Sequence, residues 1–136
     1  MPDSGHAYVL ITPARNEGKF IRGTIESMVA QTVPPLRWII VSDASTDDTD
    51  AIVQEYVDTT PWIDLVQLPP AGPRDFGGKV RAFNAGYDRV RDLDYDFIGN
   101  LDADLTFDAD HFEFLLDRFA EHPDHGLIGT TYVDIG

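Results

Sequence analysis

Two carboxylates stand one residue apart, Asp102 and Asp104, in the run Phe97-Ile-Gly-Asn-Leu-Asp-Ala-Asp-Leu105, directly after an apolar, strand-like stretch. An extended backbone repeats its side-chain direction every second residue, so both carboxylates can face the same way. Such a pair is costly unless it is solvated or neutralised, and a divalent cation carrying a phosphorylated ligand would neutralise it. The pattern suits a metal–nucleotide site.

A calcium loop competes for the same residues. Asp102, Asp104, Thr106, Asp108, Asp110 and Glu113 fall at positions 1, 3, 5, 7, 9 and 12 of an EF-hand loop. Position 6 must be glycine for the sharp turn but is Phe107, and a strand precedes the loop where a helix is required. Asp108 and Asp110 fit better as helix-start acids that favour the macrodipole, with Asp108 placed to cap the helix.

Three further polar runs carry possible chemistry. Thr12-Pro-Ala-Arg-Asn-Glu17 follows one apolar run and opens a helical one. Helix-start amides attract anions, although Asn16 and Glu17 also suit plain capping. In Ser42-Asp-Ala-Ser-Thr-Asp-Asp48 the Asp43 carboxylate could accept a hydrogen bond from a base N–H, while Ser45 to Asp48 read as turn and cap residues. Gly77-Gly-Lys79, with Asn84 beyond it, begins another helical run; its glycines permit close backbone approach and Lys79 brings a cation toward a phosphate. The spacing is not that of a P-loop, no Gly-x-Gly-x-x-Gly follows the first strand and no Gly-x-Ser-x-Gly is present. His6, His111, His122 and His125 lack ligand spacing and read as surface or capping residues.

The elements that must position these runs alternate. Strands are expected at Tyr8–Thr12, Arg37–Val41, Ile63–Leu68, Asp96–Leu101 and within Gly126–Val133. Helical stripes run from Gly18 to Gln31, from Ser45 or Thr46 to Val57, from Lys79 to Arg91 burying Val80, Phe83, Tyr87 and Val90, and after Asp108 through Phe112, Leu115, Leu116 and Phe119. Pro69 to Gly78 reads as a loop. Strand–helix alternation predicts an α/β fold, a three-layer α/β/α sandwich with a mostly parallel sheet. Ligands bind beyond the carboxyl ends of such strands, where Pro13–Glu17, Ser42–Asp48 and Asp102–Thr106 should converge.

The bulk properties agree with one domain. The chain has 136 residues, 43% of them hydrophobic, and no cysteine, which excludes disulfides and thiolate chemistry. A net charge of −14 argues against nucleic acid as a partner. Asp outnumbers Glu and Arg outnumbers Lys, which suits a solvated acidic surface or a high-salt origin. No apolar stretch is long enough for a transmembrane segment.

Together these residues resemble the nucleotide-sugar-binding half of glycosyltransferase family 2, the inverting family with a GT-A fold. The carrying segments are Ile11-Thr-Pro-Ala-Arg-Asn-Glu17, Ile40-Val-Ser-Asp-Ala-Ser-Thr-Asp-Asp-Thr49, Gly78-Lys-Val-Arg-Ala-Phe-Asn-Ala-Gly86 and Asn100-Leu-Asp-Ala-Asp104. By that resemblance the chain is part of an enzyme that transfers a sugar from a UDP- or GDP-linked donor to an acceptor hydroxyl with Mg²⁺ or Mn²⁺. Pro13, Ala14 and Glu17 would line the nucleoside pocket, Asp43 would contact the base and Lys79 would lie near base and phosphate. Asp102 would approach the ribose and metal-bound water, and Asp104 would be the principal metal ligand. Where the family shows Asp-Asp-Gly-Ser, this chain has Ser42-Asp43-Ala44-Ser45, one acid fewer. The family's acceptor-binding half and catalytic base have no counterpart before Gly136, so residues 1–136 read as a truncated transferase domain or a degenerate one, and no general base is assigned. The expected location is the cytoplasm, at the inner membrane face through other parts of a parent protein. The alternative is a non-catalytic nucleotide-binding or interaction domain.

Overall fold

Five runs of apolar and β-branched residues become five strands: β1 Tyr8–Ala14, β2 Arg37–Asp43, β3 Ile63–Leu68, β4 Phe97–Leu101 and β5 Thr131–Ile135. Among the described residues four helices connect them: α1 Ile21–Val29, α2 Thr49–Val57, α3 Gly78–Val90 and α4 His111–Glu121. The computed structural model describes residues 7–70, 78–121 and 131–135. The strands form one sheet in the order β3-β2-β1-β4-β5, and every neighbouring pair is parallel. The mostly parallel expectation therefore holds in its strict form among the described residues.

Parallel strands covered on both faces read as nearly continuous apolar runs, and β1 and β2 do so. Their alternate residues feed two cores. Leu10, Trp38 and Ile40 pack with Ile21, Ile25 and Met28 of α1, Ile52 and Val53 of α2, and Phe112 and Leu116 of α4. Val9, Ile11, Ile39 and Val41 pack on the opposite face against Ala82 and Val90 of α3. Within the core the Trp38 indole donates to the Thr12 hydroxyl at 2.7 Å. Tyr8 stacks on Phe112 at 5.0 Å between ring centres, and its hydroxyl donates to the Val33 carbonyl at 2.5 Å.

One helix differs from expectation. Val80 is 65% exposed and Tyr87 39% exposed, so they do not form the buried face of α3. The buried face is Ala82, Gly86 and Val90, spaced by four. Small residues let α3 lie close on the sheet: a Cβ on Gly86 would fall 2.6 Å from Ile11 Cγ2. Large apolar residues suggested a core face, but the close helix–sheet approach selects small ones.

Chain order runs outward through β1, β2 and β3 on one side, then crosses to β4 and β5 on the other. The reversal lies at the β1–β4 seam, and its carboxyl end is where open α/β sheets bind ligands. No helix among the described residues is long and apolar enough to cross a membrane.

Candidate functional site

The sequence-predicted residues gather at this carboxyl edge. Pro13 and Ala14 end β1, Asp43 ends β2, and Asp102 directly follows Leu101, the last residue of β4. Glu17 lies in the loop after β1, and Lys79 falls in the first turn of α3. Ala14 is buried with the α1-side core, so its methyl group serves packing and any ligand contact falls to its backbone. Asp102 lies just past the strand, and Asp104 follows in a turn. Leu101 and Ala103 both pack into the α1-side core, which leaves Asp102 half-buried and Asp104 exposed.

Asp43 is nearly buried and follows Ile39 and Val41 on the α3 face of the sheet. Its Oδ1 accepts a hydrogen bond from Arg81 Nη1 at 2.7 Å, and Arg81 Nη2 donates to the Pro69 carbonyl at 2.7 Å. Sequence reasoning missed Arg81. The signal was available: an acid ending a buried strand needs a countercharge, and the only basic residues opening α3 are Lys79 and Arg81. The pair fixes the Asp43 carboxylate rotamer and ties the ends of β2 and β3 to the start of α3.

The loops after β1 and β2 are knitted together. Asn16 adopts a positive φ of 54°, and its side-chain oxygen accepts from the Thr46 and Asp47 amides at 2.7 and 3.3 Å. The Asn16 amide donates to the Ser45 hydroxyl at 3.0 Å, the Glu17 amide to the Thr49 hydroxyl at 2.9 Å and the Gly18 amide to Asp47 Oδ2 at 3.0 Å. The Ser42 hydroxyl completes the set by donating to Ser45 at 2.8 Å. Asn16 and Ser45 were read as cap and turn residues, yet they bond across the two loops, and the N-cap residues Phe20 and Asp48 make no side-chain cap bond; Asp47 does act locally, its Oδ1 accepting from the Thr49 amide at 3.0 Å. Bonds between loops thirty residues apart leave no local sequence signal. Hydrogen bonds from the Thr49 hydroxyl and amide, then from Gly18, hold the Asp47 carboxyl below its usual range.

Asp108 likewise does not cap α4 through its side chain. Gln31 takes that role, accepting from the Phe112 amide at 3.1 Å and donating to the Asp108 carbonyl at 2.6 Å. His111 opens α4 with its ring stacked on Phe107 at 4.9 Å. His6, His122, His125 and most of the Pro69–Gly78 loop lie outside the described residues.

Among the described residues neither Asp102 nor Asp104 forms an ion pair, and no group of three or more His, Cys, Asp or Glu could hold a metal. A calcium cage with six or more protein oxygens does not fit that donor set. Mg²⁺ or Mn²⁺ does, because a small hard cation keeps waters and binds through one or two carboxylates plus phosphate oxygens.

Comparison with known proteins follows the same lines. The description "Glycosyl transferase family 2" matches residues 9–136. A chondroitin synthase from Pasteurella multocida (strain Pm70) is 27% identical over 119 residues, covering 88% of this chain and 11% of that protein. Staphylococcus aureus TarS 1-349, solved in complex with UDP, superposes with a TM-score of 0.69 at 22% identity, over 86% of this chain and 33% of that one. The mannosyltransferase PcManGT from Pyrobaculum calidifontis, solved with GDP-Man and Mn²⁺, gives 0.59 at 26% identity, over 80% of this chain and 31% of that one. The sheet and its flanking helices are those of the GT-A fold. This chain spans between 11% and 25% of the length of its curated relatives.

Proposed function

This chain belongs to glycosyl transferase family 2, and from that premise we propose that it is the donor-binding part of an enzyme moving a sugar from a nucleotide diphosphate sugar to an acceptor hydroxyl with inversion. The observation that carries the proposal is convergence. Asp43 with Arg81, the start of α3 with Lys79, and the Asp102–Asp104 turn lie along one carboxyl edge at the sheet's reversal point. UDP and GDP-Man with Mn²⁺ in the related structures support the ligand class.

Each residue then has a role. Pro13, Ala14 and Glu17 line the nucleoside pocket. Asp43, with one oxygen engaged by Arg81, offers its other oxygen to a base N–H. Lys79 and the first amides of α3 attract the phosphates. Asp102 binds at the ribose, and Asp104 is the principal ligand of Mg²⁺ or Mn²⁺. When bound, that cation neutralises charge on the departing diphosphate. No residue of this chain is assigned as the base that deprotonates the acceptor, so the chain alone binds nucleotide without transferring sugar.

Titration calorimetry with UDP and with GDP, each in Mn²⁺ and in EDTA, tests the proposal. Binding of either nucleotide that strengthens with Mn²⁺ supports it. Binding of neither, or binding indifferent to metal, refutes the metal–nucleotide reading; nucleotide binding without metal would fit a non-catalytic module.

A further inference from the structure

We infer that a polar ladder formed by Thr24 and Ser27 of α1, with Gln31 just beyond its C-terminal end, sets the position of the Asp102–Asp104 segment, with Thr24 as the positioning residue for metal-dependent nucleotide binding. This inference rests on the donor-site reading above. Thr24 and Ser27 are spaced by three and share one face of the helix, and Gln31, directly after the C-cap Ala30, donates to the Ser27 carbonyl at 3.1 Å.

Each rung grips a different part of the segment between β4 and α4. The Thr24 hydroxyl donates to the Ala103 carbonyl at 2.9 Å, and both residues are almost fully buried. Its other acceptor, the Phe20 carbonyl, lies at 3.5 Å. Ser27 Oγ accepts from the Phe107 amide at 3.2 Å, and Gln31 holds the Asp108 carbonyl and the Phe112 amide.

Residues 102–110 belong to no strand or helix. Their backbone groups lack a ladder of their own: Ala103, Phe107 and Asp108 take side-chain partners from the α1 side, while the Ala109 carbonyl accepts from the Thr32 amide at 2.8 Å. Ala103 stands between the two carboxylates, and its carbonyl belongs to the peptide that leads into Asp104. The Thr24 hydroxyl thereby fixes the orientation of that peptide, and with it the direction of one carboxylate relative to the other. Groups that orient metal ligands without touching the metal typically change affinity by about 10–100-fold when removed.

The test compares wild type, Thr24→Val, Thr24→Ser and Ser27→Ala by calorimetry, using whichever of UDP and GDP the wild type binds more tightly, in Mn²⁺ and in EDTA. Thr24→Val keeps the side-chain volume and removes the donor. It should cut the Mn²⁺-dependent gain in affinity by about tenfold while affinity in EDTA stays the same, and Thr24→Ser should restore the gain. Ser27→Ala, at a half-buried position, should reduce the gain in the same direction without loading the core. A core variant on α2, Ile52→Val, should lower the melting temperature and leave the gain intact. The inference is overturned if Thr24→Val keeps the wild-type gain, or if affinity falls equally in EDTA, or if Ile52→Val shows the same loss. A wild type that shows no Mn²⁺-dependent gain is a different result, and it sinks the donor-site reading itself.

Discussion

Replacing Ala44 by glycine should stabilise this protein. Ala44 adopts a φ of 56°, in the left-handed region, at the position where the family pattern carries glycine. An L-residue with a Cβ pays about 1–2 kcal/mol there, whereas glycine loses about 0.4–1 kcal/mol more through the entropy of its unfolded chain. The difference favours Ala44→Gly by about 0.5–1 kcal/mol, or about 2–4 °C in melting temperature for a domain of this size. The turn brings the Ser45 hydroxyl to the Ser42 hydroxyl and the Asn16 amide, and glycine preserves both bonds. Asn16, at φ 54°, is the internal control. Its side chain bonds the Thr46 and Asp47 amides, so Asn16→Gly should destabilise by about 1–2 kcal/mol. Urea unfolding of both variants measures the two changes. Opposite signs are expected; an Ala44→Gly protein no more stable than wild type would refute the strain argument.

Two other outcomes follow from the same geometry. Arg81→Met breaks the bonds to Asp43 and the Pro69 carbonyl and strands a nearly buried carboxylate, which should cost about 2–3 kcal/mol in urea unfolding; adding Asp43→Asn should recover part of the loss, and strict additivity would show that the pair is not coupled. Asp47, with its folded pKa held below the usual 3.8 by Thr49 and Gly18, contributes stability that is present above that value and lost as pH falls through the lower folded value. Melting temperatures across the acid range should therefore fall less steeply for Asp47→Asn than for wild type, and parallel curves would exclude Asp47 as a contributor.

The placement of the candidate residues was legible because strand-end acids and helix-start residues keep their meaning in one dimension. β3 runs over Ile63–Leu68 as its apolar pattern demands, and Asp43 and Asp102 stand at the carboxyl edge that alternation of strands and helices implied. What escaped was non-local. The face of α3 is decided by how closely Gly86 must approach Ile11, which no helical stripe reports. Asn16 and Ser45 carry residue types that favour caps or turns, but they join loops thirty residues apart, and Gln31 reaches the start of α4. Arg81 was hidden in the same way: its partner lies 38 residues earlier.

The donor-site account meets its most direct test at Asp104, which is exposed and free of ion pairs among the described residues. Asp104→Asn should therefore leave the melting temperature unchanged, because it removes charge and alters no packing. The measurement is the Mn²⁺-dependent gain in UDP or GDP affinity of the wild type and of this variant. The account predicts a gain in the wild type and none in Asp104→Asn. An equal gain in both proteins would contradict it.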